Sequence, residues 1–317
     1  NIPAGPAAAR YQDVFGETLL ELARADEKIV AVTPAMATGC GMNIMMREIP
    51  ERTFDVGIAE QHAVTFSAGM AAAGYLPFCN IYSSFMQRAY DNVIHDVALQ
   101  KLKVILCLDR GGLVGEDGAT HQGVFDMAAF RPVPNLVIAS PLNEKELRDL
   151  MYTATTPSLQ GPIIIRYPRG NGEGTPWRGT EFTEIPIGRG RLLHPGKDVA
   201  VLSIGPIGNR AAEAVKMASD HGKDALHYDM RFLKPLDTDI MQDVCGKAHT
   251  IITVEDGMIA GGLHDAVASY VTERFPQIKV IGLGVPDKFV EQGTIKELRA
   301  ECGFDTENIF KTICNNF

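Results

Sequence analysis

Short apolar runs alternate with longer helical patterns along the first half of the chain. Several of these runs contain no polar residue, which is typical of parallel strands covered on both faces. The pattern predicts strands at Ile29–Val32, Thr53–Ile58, Pro77–Tyr82, Val104–Asp109, Leu136–Ser140 and Ile163–Tyr167. Helices are predicted between them at Gln12–Ala25, Glu60–Ala73, Phe85–Gln100 and Glu144–Thr155. This alternation indicates a doubly wound α/β domain.

A segment rich in Gly and Pro, Pro168–Thr180, follows without periodicity and predicts a linker between domains. The pattern then resumes, with strands predicted at Val199–Ile204, Ala225–Asp229, Thr250–Val254 and Val280–Gly282, and helices at Gly208–His221, Gly261–Phe275 and Thr294–Glu301. We therefore expect an α/β fold of two doubly wound domains. The first covers residues 1–170, the linker 171–185, and a smaller second domain 186–317.

The composition narrows the class of protein. A length of 317 residues suits about two domains, and 45% hydrophobic residues provide ample core. A net charge of −9 argues against a nucleic-acid partner. No uncharged apolar stretch reaches the roughly 18–20 residues that cross a membrane, so no membrane partner is expected.

The cysteine spacing and the first ten residues bear on where the protein is found in the cell and on how its N-terminus arose. The six cysteines are widely separated and have neither zinc nor disulfide spacing, which favours a reducing cytoplasm. The first ten residues begin without Met and lack an apolar signal core. They indicate a linker remnant or a processed end rather than a targeting peptide.

Residues 57–62 read Gly-Ile-Ala-Glu-Gln-His, between an apolar run and a small-residue helical pattern. We expect Glu60 where a strand ends and a helix begins, which is where ligands bind in open α/β sheets. The alternative role for such a glutamate is to stabilise the helix N-terminus through its charge.

Polar residues also follow three other predicted strands, in the segments Tyr82–Asp91, Asp109–Gly123 and Arg166–Asn171. Each segment contains arginine beside hydroxyl or acidic residues, and arginine is suited to bidentate capture of carboxylate or phosphate. The pattern predicts a small anionic substrate. Asp117 and His121, in the Gly-rich middle segment, are candidates for proton transfer or hydroxyl recognition.

Long blocks of the chain resemble the 1-deoxy-D-xylulose-5-phosphate synthase family, from about Tyr11 to near the C-terminus. The blocks are Ile-Ala-Glu-Gln-His at 58–62, Ile-Tyr-Ser-Ser-Phe-Met-Gln-Arg-Ala-Tyr-Asp at 81–91, Asp-Arg-Gly-Gly-Leu-Val-Gly-Glu-Asp-Gly-Ala-Thr-His-Gln-Gly at 109–123, Arg-Tyr-Pro-Arg-Gly-Asn at 166–171, and Asp-Met-Arg-Phe-Leu-Lys-Pro-Leu-Asp at 229–237. The resemblance implies a pyrimidine-binding domain followed by a transketolase C-terminal domain, usually in a homodimer.

The activity implied is that of a transferase that uses thiamine diphosphate. It condenses pyruvate with D-glyceraldehyde 3-phosphate, giving 1-deoxy-D-xylulose 5-phosphate and CO2 for isoprenoid, thiamine and pyridoxal biosynthesis. By this resemblance Glu60 hydrogen-bonds the aminopyrimidine ring of the cofactor and promotes formation of the reactive ylid. Phe85 packs on that ring, with Ile58 nearby and Arg88 supporting the pocket.

The same resemblance assigns the substrate contacts. Asp117 and His121 contact the pyruvate-derived intermediate and the hydroxyls of the acceptor. Tyr82, Arg110 and Arg169 bind the phosphate group of glyceraldehyde 3-phosphate.

In this family a Gly-Asp-Gly…Asn motif holds the cofactor's diphosphate and Mg2+. That motif belongs to an N-terminal half that residues 1–317 do not include. Glu116–Gly118 with Asn143 resembles that motif only superficially, because its first position is Glu and a predicted strand and several prolines intervene. Glu255–Gly257 repeats the resemblance, and we interpret it as a turn at a strand end. We therefore predict no metal ligand in this chain, and no activity unless the missing half is supplied.

Two other interpretations remain open. The chain has the length and domains of a 2-oxo-acid dehydrogenase beta subunit or of the C-terminal subunit of a split transketolase, although Asp109–Gly123 and Tyr167–Asn171 resemble the synthase instead. A different class is a non-catalytic, dimer-forming fragment that keeps the fold without the activity.

Overall fold

The structure, a computed structural model, describes residues 8–317. Residues 1–7, where a linker remnant or processed end and the start of the first domain are expected, lie outside the described residues. Two compact units divide the chain. The first comprises the described residues up to Arg110 with Val133–Val137 and Asn143–Pro186, and the second comprises Gly111–Pro132, Ile138–Leu142 and Ile187–Phe317.

The first unit contains five parallel strands in the order β6-β4-β3-β1-β2. The first six strands of the chain are β1 (Ile29–Thr33), β2 (Thr53–Asp55), β3 (Leu76–Tyr82), β4 (Ile105–Asp109), β5 (Val137–Ala139) and β6 (Ile163–Arg166). Every residue of β1, β4 and β6 is buried, including the polar residue that ends each strand, Thr33, Asp109 and Arg166. Burial on both faces fits the apolar runs that make up the rest of these strands. These strands therefore form the centre of a doubly wound sheet.

Helices precede and follow the strands of the first unit. The first seven helices are α1 (Tyr11–Ala25), α2 (Asn43–Glu48), α3 (Glu60–Ala72), α4 (Ser83–Met86), α5 (Tyr90–Asn92), α6 (Asp126–Phe130) and α7 (Glu144–Thr155), of which α6 belongs to the second unit. The side chain of Asn143 accepts a hydrogen bond from the backbone N–H of Glu146 and so caps α7.

The prediction of one helix over Phe85–Gln100 is wrong in detail. The region is broken into α4, a 3-10 turn at Gln87–Ala89, α5 and a π-helical segment at Val93–Ala98. Within the π segment, the carboxylate of Asp96 accepts hydrogen bonds from the side chains of Thr65 and Asn92. Sequence periodicity indicates a helix here but not the change in its hydrogen-bond spacing.

The second unit contains a five-stranded sheet in the order β12-β11-β8-β9-β7. Its strands are β7 (Arg191–His194), β8 (Asp198–Ile204), β9 (Leu226–Asp229), β10 (Phe232–Lys234), β11 (Ala248–Met258) and β12 (Lys279–Val285). Only β7 is antiparallel to its neighbour in this sheet, while β10 pairs antiparallel with Ile138 and Ala139 of β5. The turn predicted at Glu255–Gly257 is wrong, since these residues lie within β11, next to an irregularity in its pairing.

Five helices complete the second unit beside α6, and three of them begin at side-chain caps. They are α8 (Ile207–Asp220), α9 (Thr238–Lys247), α10 (Leu263–Arg274), α11 (Ile295–Glu301) and α12 (Thr306–Cys314). Asp237, Thr294 and Asp305 accept hydrogen bonds from backbone N–H groups at the starts of α9, α11 and α12. The prediction of two α/β domains is confirmed. In the described part of the chain, no helix combines the length and apolar character needed to cross a membrane.

Candidate functional site

Glu60 lies at the start of α3, directly after a tight turn. Asp55 Oδ1, at the end of β2, accepts hydrogen bonds from the backbone N–H of Ala35 (2.8 Å) and of Gly57 (3.0 Å). Gly57 has a φ of +73°, a conformation that favours glycine. The Glu60 side chain is only 4% exposed, and its Oε1 lies 3.4 Å from Nη1 of Arg88. A buried carboxylate is thus held at a helix N-terminus, where the helix dipole favours negative charge.

Five predicted site residues form a continuous row of side chains. The guanidinium of Arg110 stacks over the ring of Tyr82 at 3.7 Å, and this ring stacks with that of Phe85 at a centroid distance of 5.7 Å. The guanidinium of Arg88 lies over the Phe85 ring, 5.1 Å from its centroid, and pairs with Glu60. We call these five residues the side-chain row. It connects a buried carboxylate at one end to a guanidinium at the other.

Arg110 is held in one orientation from several sides. Its backbone has a φ of +62°, which is uncommon for a residue other than glycine. Its Nη1 donates to the carbonyl oxygen of Gly39 at 2.9 Å and lies 3.0 Å from Oδ1 of Asp109. Gly39 itself leaves no room for a side chain, because a Cβ there would be 1.8 Å from the Tyr82 hydroxyl. The site therefore depends on a glycine that sequence reasoning missed.

Asp109 is a second residue whose importance the sequence pattern did not indicate. Its carboxyl group is buried at the end of β4, and burial raises its pKa to about 7, while the charges of Arg110 and Arg169 act in the opposite direction. Arg169 itself is exposed, whereas the carboxyl group of Asp109 is buried. The two arginines predicted from the sequence to bind phosphate thus both lower the pKa of Asp109 through their charges.

Ile58 is the most exposed large apolar side chain among the described residues, at 87%. It directly precedes the N-cap residue of α3, Ala59. A single exposed apolar side chain is common on protein surfaces, so this exposure does not by itself identify a binding site.

The remaining two predicted site residues, Asp117 and His121, belong to the second unit. Asp117 ends a 3-10 turn at Gly115–Asp117 and is exposed. The backbone N–H of His121 donates to the carbonyl of Gly118 at 3.0 Å, and its Nδ1 lies 2.9 Å from the hydroxyl of Thr120. Both candidate proton-transfer groups therefore lie on one Gly-rich loop.

Within residues 8–317, no three His, Cys, Asp or Glu side chains are grouped so that they could hold a metal ion. Asn143, which completes the superficial metal motif, uses its side chain to cap α7 instead.

Known protein families match nearly the whole chain. Residues 7–174 match the transketolase pyrimidine-binding domain, and residues 188–309 match the transketolase C-terminal domain.

Curated relatives give a more detailed comparison. The chain is 58% identical over 306 residues to the 1-deoxy-D-xylulose-5-phosphate synthase of Phocaeicola vulgatus, covering 96% of this chain and 48% of that protein. It is also 58% identical over 304 residues to the synthase of Bacteroides thetaiotaomicron, covering 96% of this chain and 47% of that protein. The chain therefore spans about half the length of the curated relatives it matches.

A solved structure resembles the chain over its full length. A split-gene transketolase, in its inactive beta4 tetramer, superposes with a TM-score of 0.84 at 28% identity and covers 98% of both chains.

Proposed function

The chain belongs to the transketolase family through its pyrimidine-binding and C-terminal domains, and from this we propose that it forms the corresponding half of a 1-deoxy-D-xylulose-5-phosphate synthase. The reaction would be the thiamine diphosphate-dependent condensation of pyruvate with D-glyceraldehyde 3-phosphate. Its products are 1-deoxy-D-xylulose 5-phosphate, a precursor of isoprenoids, thiamine and pyridoxal, and CO2. The observation that carries the proposal is the side-chain row, because it places a buried carboxylate and an oriented guanidinium on one continuous surface.

Glu60 fits the binding of the cofactor's aminopyrimidine ring. Its carboxylate is withdrawn from water, so a hydrogen bond to a ring nitrogen would be stronger than in solvent. We assign to a Glu60 oxygen the holding of the proton shared with that nitrogen, and to Arg88 the orientation of the carboxylate. When bound, thiamine diphosphate supplies the electron sink that decarboxylation of pyruvate requires.

Phe85, which contacts the arginine paired with Glu60, and Ile58 are proposed to suit the faces of the same ring. Phe85 presents an aromatic surface between Tyr82 and Arg88. Ile58 projects into solvent only two residues before Glu60. A carboxylate flanked by apolar groups is the combination that a flat heteroaromatic ring needs for both orientation and burial.

Tyr82, Arg110 and Arg169 are proposed to bind the phosphate of the acceptor. A guanidinium carries five N–H donors, and the contacts of Arg110 with Gly39 and Asp109 leave others for a phosphate. Because Arg110 is already oriented, little conformational entropy is lost when it binds its ligand.

Asp117 and His121 are proposed to act on the acceptor's reacting end. An imidazole and a carboxylate four residues apart on one loop provide a proton donor or acceptor and a partner for hydroxyl groups. We assign to His121 the transfer of the proton at the acceptor's carbonyl oxygen, and to Asp117 the binding of a neighbouring hydroxyl.

The remaining half of the relatives' length is proposed to hold the diphosphate and Mg2+. We infer that residues 1–317 alone are inactive and that the complete enzyme is a homodimer in the cytoplasm. The similar split-gene transketolase, whose beta4 tetramer is inactive, supports the first inference. We also propose domain boundaries at residues 1–170 and 186–317 with a linker at 171–185, which the family spans 7–174 and 188–309 support.

Degree of similarity favours the synthase over the split transketolase among the competing identities. Identity to the synthases is 58%, against 28% to the split transketolase. A non-catalytic fragment stays the alternative for residues 1–317 taken by themselves, and only an assay of those residues distinguishes it.

The deciding experiment measures CO2 release and deoxyxylulose phosphate formation from pyruvate and glyceraldehyde 3-phosphate with thiamine diphosphate and Mg2+. The full-length protein, residues 1–317 alone, and residues 1–317 mixed with the separately expressed N-terminal half of a relative are compared. We expect activity in the first, none in the second and partial recovery in the third. No product from the full-length protein would overturn the proposed reaction, whereas turnover by pure 1–317 would overturn only its dependence on the other half.

A further inference from the structure

The loop that carries Asp117 and His121 is closed at its base by two glycines. Gly112 and Gly123 exchange backbone hydrogen bonds, with N···O distances of 2.7 and 2.8 Å. We call residues Gly111–Gly123 the acceptor loop. Its tip is exposed at Glu116, Asp117, Ala119 and Thr120, whereas the residues on both sides of the base are buried. What holds the base therefore contributes to the position of the tip, beside a contact between the backbone N–H of Gly293 and the carbonyl oxygen of Gly115.

Asp256, on β11, binds the base of the acceptor loop directly. Its Oδ1 accepts a hydrogen bond from the backbone N–H of Leu113 at 2.8 Å. Its Oδ2 accepts from Arg299 on α11, at 2.8 Å from Nη2 and 3.3 Å from Nε. Asp256 is only 6% exposed, so the paired guanidinium offsets the cost of burying its charge. One ion pair thus connects the loop base to both β11 and α11.

The approach of Asp256 to the loop is so close that it requires glycine at position 112. Gly112 has a φ of +91°, and a Cβ there would lie 2.7 Å from the carboxyl carbon of Asp256. The glycine both permits the backbone conformation and leaves space for the carboxylate.

Further contacts fix the same base without touching its tip. Gln122 Oε1 accepts from the N–H of Val114 at 2.8 Å, and its Nε2 donates to the carbonyl of Glu291 at 3.2 Å. The side chains of Leu113 and Val124 belong to the hydrophobic core of the second unit. Among these contacts of the loop base, the Asp256–Arg299 pair contributes an interaction between opposite charges.

We propose that Asp256 and Arg299 are positioning residues of the acceptor loop, which set where Asp117 and His121 meet the acceptor substrate. This inference rests on the proposed function of those two residues. It assigns to the C-terminal transketolase domain, which contains both members of the pair, a part in the second half of the reaction. A displacement of about 1 Å in a substrate-contacting group can lower the rate about a hundredfold.

The test uses the full-length enzyme and the variant Asp256→Asn. The amide keeps an oxygen for the N–H of Leu113 but loses the ion pair with Arg299. We expect the KM for glyceraldehyde 3-phosphate to rise about tenfold or more, while the KM for pyruvate and the Kd for thiamine diphosphate stay within about twofold of wild type. Arg299→Met should raise the KM for glyceraldehyde 3-phosphate in the same way. Arg299→Lys, which keeps the positive charge, should raise it less. The double variant should be no worse than either single variant, because both remove one interaction.

Asp237→Asn is the matched control for lost stability. Asp237 is also a buried aspartate of the second unit paired with an arginine, Arg189, but it caps α9 and accepts from Gly190 rather than from the acceptor loop. We expect Asp237→Asn to lower the Tm without changing the KM for the acceptor. An unchanged acceptor KM in Asp256→Asn, or an equal rise in Asp237→Asn, would overturn the inference and leave the proposed function intact. A wild-type enzyme without this activity would overturn both.

Discussion

The guanidinium of Arg110 lies 3.7 Å from the ring centroid of Tyr82, and the same stacking surface continues through Phe85. Arg110 reaches this position with a left-handed backbone, a conformation that costs on the order of 1 kcal/mol or more and is concentrated at functional sites. The contacts of its side chain with Gly39 and Asp109 offset that cost. The strained backbone of Arg110 therefore places its guanidinium over Tyr82, at the end of the side-chain row.

Replacement of Glu60 tests the carboxylate end of the row. Glu60→Gln keeps the size of the side chain but removes the carboxylate that we propose holds a proton for the cofactor ring. We expect kcat of the full-length enzyme to fall about 10²- to 10⁴-fold, the range for loss of a proton-transfer group. The measurement is the initial rate of product formation at saturating pyruvate, acceptor and cofactor.

Glu144→Gln provides the matched control. Glu144 is likewise a buried glutamate in the first turn of a helix in the same unit, and it accepts a hydrogen bond from the N–H of Gly174. Its amide variant should change the Tm but leave kcat within about twofold, because Glu144 is outside the side-chain row. Comparable losses of kcat in the two variants would mean that burial, rather than proton transfer, explains the effect.

A methyl group at Gly39 tests the Arg110 end of the side-chain row, which is proposed to bind phosphate. In Gly39→Ala the new Cβ would collide with the Tyr82 hydroxyl, so the tyrosine must move and Arg110 loses its stacking partner. We expect the KM for glyceraldehyde 3-phosphate to rise about tenfold or more, since a charged hydrogen bond contributes about 1.5–3 kcal/mol. The KM for unphosphorylated glyceraldehyde should not change.

The control for this substitution is Gly246→Ala, on an exposed turn of α9 where nothing lies within 4 Å of the added Cβ. It should alter neither KM. If Gly39→Ala raised the KM for both acceptors equally, the displaced tyrosine would act on more than phosphate binding.

The predictable part of the fold is the part that local sequence determines. The strand predicted at Ile29–Val32 ends one residue short of β1, and the one at Ile163–Tyr167 extends one residue beyond β6. The first is a continuous apolar run and the second begins with three isoleucines, and burial on both faces favours that composition. Glu60 was placed correctly at a helix N-terminus for a related reason, because the small residues after it favour only a helix.

The unpredicted part depends on partners distant in sequence. The acceptor loop belongs to the second unit because Leu113 bonds to Asp256, 143 residues away, and Gln122 bonds to Glu291, 169 residues away. Gly39 and Asp109 were missed for the same reason. A glycine in a polar loop and an acid at a strand end are common, and only their contacts with Tyr82 and Arg110 make them distinctive.

Asp109 predicts a stability that falls as the pH rises. Burial raises its pKa in the folded state to about 7, above the ordinary value of 3.8 that applies when the chain is unfolded. Below the lower value both states hold the proton. Between the two values the folded state alone keeps it, and above the higher one the folded state carries the full cost of a buried charge. At about 1.4 kcal/mol for each pKa unit, that cost is on the order of 4 kcal/mol.

Asp109→Asn removes the titrating group and should therefore stabilise the protein more at pH 8 than at pH 4. Urea unfolding followed by circular dichroism at both pH values measures the difference. Arg110→Met is the companion variant, because it removes a cation that lowers the pKa of Asp109 and should move the midpoint to higher pH. Identical pH profiles for wild type and Asp109→Asn would contradict the assignment.

His227, on β9 in the second unit, predicts the opposite dependence at acid pH. Its imidazole is fully buried, with Nε2 2.8 Å from Oγ of Ser203, and burial together with the charge of His194 lowers its pKa to about 3. The unfolded chain takes up a proton near the ordinary pKa of 6.5, while the folded state does not. The stability contributed by neutral His227 is therefore complete above pH 6.5 and is lost as the pH falls from there towards 3.

His227→Gln should abolish this part of the acid sensitivity. The variant is expected to be less stable than wild type at pH 8, and the gap should narrow by about 1.4 kcal/mol for each pH unit below 6.5. Ser203→Ala is the matched control, because it removes the hydrogen bond but keeps the titrating imidazole, so its pH profile should run parallel to that of the wild type. Urea unfolding at pH 8 and pH 5 measures all three proteins. A gap between wild type and His227→Gln that stayed constant over this range would mean that the buried imidazole is protonated in the folded state as readily as in the unfolded chain.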